Sequence, residues 1–100
     1  MRIIKFLDGV TADTVSSIYS VDASLYPIMR LQVGIGTAAT VIVEGQIEGM
    51  DDHWATISDG SITESGAYDQ TTMPLMRVTA TGVNGALKVY GFAPRQQVLT

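Results

Sequence analysis

The sequence predicts an all-β protein: an antiparallel β-sandwich, jelly-roll or immunoglobulin-like, with about seven or eight strands. Three observations predict it. Val, Ile and Thr supply thirty of the 100 residues, and their branched Cβ atoms favour extended backbone. Clusters of Gly, Asp, Asn, Ser and Pro recur about every 8 to 14 residues, the turn spacing of a sandwich or barrel. Between those clusters apolar and polar residues alternate with a period of two. No linker, repeat or low-complexity tract divides the chain, so 1–100 reads as one domain with 93–100 as a C-terminal tail.

The first expected strand runs from Arg2 to Leu7 and closes at Asp8-Gly9, a tight-turn pair. Thr14 to Ser20 follows, with Val15, Ser17 and Tyr19 opposite Ser16 and Ile18. After a loop from Asp22 to Pro27, Ile28 to Val33 alternates cleanly, and Met29, Leu31 and Val33 form its core face. Gly34-Ile35-Gly36 reads as a glycine turn between two antiparallel strands. The next strand, Thr40 to Glu48, sets Val41, Val43 and Ile47 against Thr40, Glu44, Gln46 and Glu48, with Ile42 on that polar face. Its partner spans Trp54 to Ile57, and Asp59-Gly60 reverses the chain into Ser61 to Glu64. Leu75 to Thr81 and Ala86 to Phe92 are then expected to pair as a hairpin, because Asn84-Gly85 is the favoured type I′ dipeptide. Pro74 suits the head of the first of these strands, and Pro94 ends the second.

Composition excludes several function classes. With six Lys+Arg against ten Asp+Glu, net charge −4 and scattered cations, no basic patch is available to neutralise a phosphate backbone, so no nucleic-acid partner is expected. No apolar run reaches the ~18 residues of a membrane span, and the apolar start is too short for a secretory segment. No membrane partner is expected, and the mature chain is expected to begin near Met1. Without cysteine there is no disulfide or thiolate metal site, so stability must come from packing, assembly or both.

The candidate chemical sites each have a plainer explanation. Gly34-Ile35-Gly36-Thr37-Ala38-Ala39 fits G-x-G-x-x-A, but a pyrophosphate site needs a helix to begin there, and Thr40-Val41-Ile42-Val43 favours a strand. Asp51-Asp52-His53 lacks the alternate spacing and distant Glu of a calcium loop and reads as a solvated acidic turn. His53 is the only imidazole, and no nucleophile motif accompanies it. Glu44, Gln46 and Glu48 share a strand face and read as solvated rather than as a catalytic carboxylate pair. No enzyme activity, cofactor or metal is expected. Trp54 reads as a packing or subunit-contact residue before a sugar platform, and Met29, Met50, Met73 and Met76 fit either core or adaptable surface.

The order Val43-Glu44-Gly45-Gln46-Ile47-Glu48-Gly49, then Trp54-Ala55-Thr56-Ile57, then Met73-Pro74-Leu75-Met76-Arg77-Val78-Thr79-Ala80-Thr81-Gly82 resembles small β-sandwich virion proteins of tailed bacteriophages. The likeness covers about residues 38 to 92, and the same order is similar to sugar-binding sandwiches of the discoidin type. The first resemblance implies a non-enzymatic capsid decoration or cement subunit, or a related head or tail component. Such a subunit would be a homo-oligomer, a trimer favoured, binding the major capsid protein in a virion assembled in the host cytoplasm. The second implies a carbohydrate-binding module, in a receptor-binding tail component, using Trp54, a tyrosine and acidic loop residues. No site residue transfers from either. From the strand pattern itself, Ile28, Ile42 and Tyr90 are apolar residues stranded on polar faces, and with Trp54 they are the candidate interface. The edge at Arg2 to Leu7 and the tail Val98-Leu99-Thr100 are candidate places for strand addition.

Overall fold

In the computed structural model, described for residues 2–23, 27–47, 50 and 53–93, the chain forms nine strands and no helix. They are β1 (Arg2–Val10), β2 (Thr14–Val15), β3 (Tyr19–Ser20), β4 (Ile28–Ile35), β5 (Ala38–Gln46), β6 (Ala55–Thr56), β7 (Gly66–Thr71), β8 (Leu75–Asn84) and β9 (Leu87–Ala93). Sheet one has the order β1-β9-β4-β7; sheet two has the order β2-β8-β5-β6, with β3 also paired to β8. All pairings are antiparallel. With β2 and β3 counted as one interrupted strand position, this is the eight-position order of a jelly roll, which selects that topology over the immunoglobulin-like one.

The core lies where the two inner faces meet. Met29, Leu31 and Val33 of β4, Val41 and Val43 of β5, and Met76, Val78 and Ala80 of β8 are buried, as period-two alternation requires. Each larger side chain among them contributes roughly 1.5–3 kcal/mol by leaving water. Of the four methionines in question, Met29 and Met76 are core, Met73 is half-buried against it, and Met50 is exposed.

Several expected elements are corrected, each for a local reason. The stretch Thr14 to Ser20 is broken because Ser16 turns inward: its hydroxyl accepts the Val78 N–H at 2.8 Å, taking the place of a ladder carbonyl. Its expected faces are altered too, since Val15 is exposed while Tyr19, expected on the same side, packs against the core. β1 does not close at Asp8-Gly9 but continues to Val10, because Gly9, at φ 74°, is absorbed as a bulge. An earlier register shift lets consecutive Phe6 and Leu7 both point into the core. Ser61 to Glu64 is not a strand; Ile62 alone bridges Val41 through two hydrogen bonds of 2.8 and 2.9 Å. The strand in that region is β7, six residues paired with β4. Ala93 belongs to β9 rather than to the tail, and 94–100, including Val98-Leu99-Thr100, lie outside the described residues, as does Glu48.

The largest correction concerns the two glycine turns. β8 and β9 do not form a hairpin: β8 pairs with β5, β2 and β3, whereas β9 pairs with β1 and β4 in the other sheet. β4 and β5 likewise lie in different sheets, so Gly34-Ile35-Gly36 also crosses the sandwich. The two crossings lean on each other, with the Thr37 N–H donating to the Asn84 carbonyl at 2.9 Å. A Cβ on Gly36 would stand 2.8 Å from the Ala86 nitrogen, and one on Gly85 would stand 2.9 Å from the Thr37 nitrogen. Asn-Gly is used here for the φ of +80° at Gly85 and for close backbone approach, not for strand return.

Candidate functional site

The four candidate interface residues separate into two pairs on opposite outer faces. Ile28 and Tyr90 project from sheet one; Ile42 and Trp54 belong to sheet two.

On sheet one the register assembles the outer face row by row. One row runs Ile3, Phe92, Arg30, Asp69 across the four strands, and the next runs Lys5, Tyr90, Gln32, Ala67. Ile28 follows Arg30 on the same side of β4, beside Thr71, and Ile3 and Ile28 are more than half exposed. A shallow groove of about 600 Å³ crosses these rows, lined by Ile3, Arg30, Gln32, Ala67, Tyr90 and Phe92 with Leu31 and Gly91 at its base. Gly91 faces inward, where a Cβ would meet the Met29 sulfur at 2.6 Å and the Phe6 ring at 3.0 Å, so β9 sits low against the core.

The charges around the groove are partly matched within the face. Arg30 Nε lies 2.8 Å from Asp69 Oδ1, an ion pair two-thirds exposed and so worth at most about 1 kcal/mol. The Tyr90 hydroxyl donates to the Asp8 carboxylate, and Lys5 Nζ lies 5.4 Å from the Tyr90 ring centroid. That hydrogen bond, followed by burial and the negative charge of Asp8, holds the Tyr90 phenol above its usual range. Tyr90 is thereby fixed as a neutral donor over a half-buried ring. Lys5, Arg30 and Lys88 place three of the six cations on this face against Asp8 and Asp69, so it is net positive on a protein of net charge −4.

On sheet two, Ile42 sits opposite Thr79 and Glu44 opposite Arg77. Glu44 Oε1 accepts from Thr79 Oγ1 at 2.5 Å and from Arg77 Nε at 3.2 Å, in a pair about three-quarters buried or more. The Arg77 guanidinium stacks 4.2 Å from the Trp54 ring centroid, so one ring face is already occupied. Continuing the β5–β6 register brings Trp54 beside Gln46, which is buried rather than solvated, and its Oε1 has no hydrogen-bond donor among the described residues. This face is a braced wall of interlocked side chains. Val15, also more than half exposed, extends it beside Thr79.

Among the described residues no group of three or more His, Cys, Asp or Glu could hold a metal ion. His53 is exposed, and its acidic neighbours Asp51 and Asp52 lie outside the described residues. Gly34 to Ala39 leads into β5, which supplies no helix N-terminus for a phosphate. The arrangement on sheet one can bind by shape, apolar contact and planar hydrogen-bonding groups. Ile3, Phe92, Arg30, Gln32 and Ala67 were not candidates from the sequence, because strands far apart in the chain bring them together.

No protein family, characterised protein or solved structure matches the chain.

Proposed function

We propose that this protein is a non-enzymatic virion structural subunit of a tailed bacteriophage, a capsid decoration or cement protein that self-associates and binds the major capsid protein. The observation that carries the reading is the outer face of sheet one. There Ile3, Ile28, Tyr90 and Phe92 stand exposed or half-exposed beside the Arg30–Asp69 ion pair and the Tyr90–Asp8 hydrogen bond. Apolar groups spread over a sheet face, with few charges among them, suit a surface covered by another subunit. The jelly roll serves both viral capsid and lectin domains, so it supports this reading without selecting it.

The test is cryo-electron microscopy of the source particle together with sedimentation of purified chain with undecorated heads. Density for the jelly roll on the head, and co-sedimentation lost in Ile3→Asp/Phe92→Asp, are expected. Absence from the particle and no co-sedimentation would refute the proposal.

One observation favours the second reading, a carbohydrate-binding module. The groove places Tyr90 and Phe92 beside the planar hydrogen-bonding groups of Gln32 and Arg30, whereas Trp54 has one face taken by Arg77. Glycan-array binding abolished by Phe92→Ala and retained by Trp54→Ala is the outcome that supports it.

A further inference from the structure

The four sheet edges are not equally protected. β6 at one edge of sheet two is two residues long, and the opposite edge is made of β2 and β3, also two residues each. β1, at one edge of sheet one, is long but carries two register irregularities and an exposed Lys5. Short strands, bulges and lysines are the devices that keep edges from pairing with other chains. β7, at the other edge of sheet one, is neither short nor bulged and has no lysine, and its one charge, Asp69, is paired with Arg30 of the same sheet. It runs for six residues in unbroken register with β4, from Ile28 opposite Thr71 to Val33 opposite Gly66, and no strand pairs its outer edge among the described residues.

We propose that β7 is the strand through which two copies of this chain associate, antiparallel, about a two-fold axis at Tyr68. Residues directly opposite in an antiparallel pair share a face, which leaves two centred registers for a self-pair. A two-fold at Asp69 sets the two Asp69 carboxylates directly opposite each other, a repulsive arrangement. A two-fold at Tyr68 sets Tyr68 against Tyr68 of the second copy on the inner side. On the outer side it sets Asp69 against Ala67, and each Asp69 keeps its own Arg30. The second register is therefore selected, and it is self-complementary as a two-fold contact must be. It joins the two outer faces into one eight-stranded surface, in which the row Ile3, Phe92, Arg30, Asp69 continues into Ala67, Gln32, Tyr90, Lys5 of the second copy.

The inference rests on the self-association within the proposed function and not on the virion, so it is measured on the isolated chain and fails separately from capsid binding. Light scattering across a concentration series should show a monomer passing to a dimer. The chain has no cysteine, so Tyr68→Cys and Asp69→Cys each introduce one thiol. Under mild oxidation Tyr68→Cys should give a disulfide dimer and Asp69→Cys should not. Ala67 is exposed, which makes Ala67→Asp and Ala67→Lys fold-preserving controls. Ala67→Asp should weaken association about tenfold, because the two-fold repeats the new repulsion twice, whereas Ala67→Lys should not weaken it. A monomer at all concentrations, a trimer, cross-linking of Asp69→Cys in preference to Tyr68→Cys, or equal effects of the two Ala67 variants would overturn the proposal.

Discussion

Alanine substitution at Gly34, Gly82, Gly36 and Gly85, one at a time, separates two physical effects at the sandwich crossings. Gly34 has neither a positive φ nor an atom near its would-be Cβ. Gly34→Ala should be neutral or stabilising by up to about 1 kcal/mol, since it only restricts the unfolded chain. Gly82 has φ +61° with open space around it, so Gly82→Ala carries the left-handed penalty of about 1–2 kcal/mol less that same gain. Gly36 has an ordinary φ, but its Cβ would approach the Ala86 nitrogen and oxygen to 2.8 and 2.9 Å. These are backbone atoms that cannot swing aside, and overpacking of this kind costs about 1–3 kcal/mol. Gly85 combines φ +80° with a 2.9 Å approach to the Thr37 nitrogen, so Gly85→Ala should lose about 2–4 kcal/mol. Urea unfolding followed by Trp54 fluorescence measures the series. With a slope near 1 kcal/mol per molar, Gly36→Ala should lower the midpoint by roughly 1 M or more. If β8 and β9 formed a hairpin, Gly36 would touch nothing in the Asn84-Gly85 turn. Equal midpoints for Gly36→Ala and Gly34→Ala would refute the packed crossing.

Three further outcomes are expected. Arg77→Ala uncovers one face of the only tryptophan and leaves Glu44 with Thr79 alone, so Trp54 emission should shift to longer wavelength and stability should fall by about 1–3 kcal/mol in chemical denaturation. Gln46→Met removes a buried acceptor that has no donor among the described residues, and the melting temperature should hold or rise. Tyr90 ionises above the usual phenol value of about 10 in the folded chain because of Asp8, then burial, then the carboxylate charge. Its raised value means that the folded state holds the proton more tightly. The associated stability is complete below the unfolded value and is lost as pH rises through the folded one. Absorbance titration near 295 nm should show the Tyr90 step, identified by its loss in Tyr90→Phe, moving down in Asp8→Asn.

The elements with a buried face were legible in the sequence for a physical reason. β4, β5 and β8 each pack one side against the core, so their apolar residues had to alternate. β7 was not legible because Gly-Ala-Tyr-Asp-Gln-Thr lies at an edge, where only Tyr68 and Gln70 turn inward and strand-favouring side chains are few. Pairing was the other loss: Asn84-Gly85 satisfies the local rule for a hairpin, yet the partners of β8 and β9 are set by core faces elsewhere in the chain. The candidate site suffered similarly. Stranded apolar positions such as Ile28 and Tyr90 could be found from alternation, but which of them share a face depends on non-local register, and the groove exists only once β9 lies between β1 and β4.

That central place of β9 also orders events in time. Tyr90 and Asp8 meet although they are 82 residues apart, and the two neighbours of β9, β1 and β4, are complete by Ile35. At about 5–20 residues per second of synthesis, the interval between the end of β4 and the arrival of β9 lasts several seconds. Throughout it β1 lacks its strand partner and one edge of β4 stays unpaired, and the pairing that ends it joins segments from opposite ends of the described chain, the kind of topology that folds in milliseconds to seconds. Sheet one is therefore completed only by β9, the last of its strands in chain order, and until then the facing edges of β1 and β4 are both free to pair.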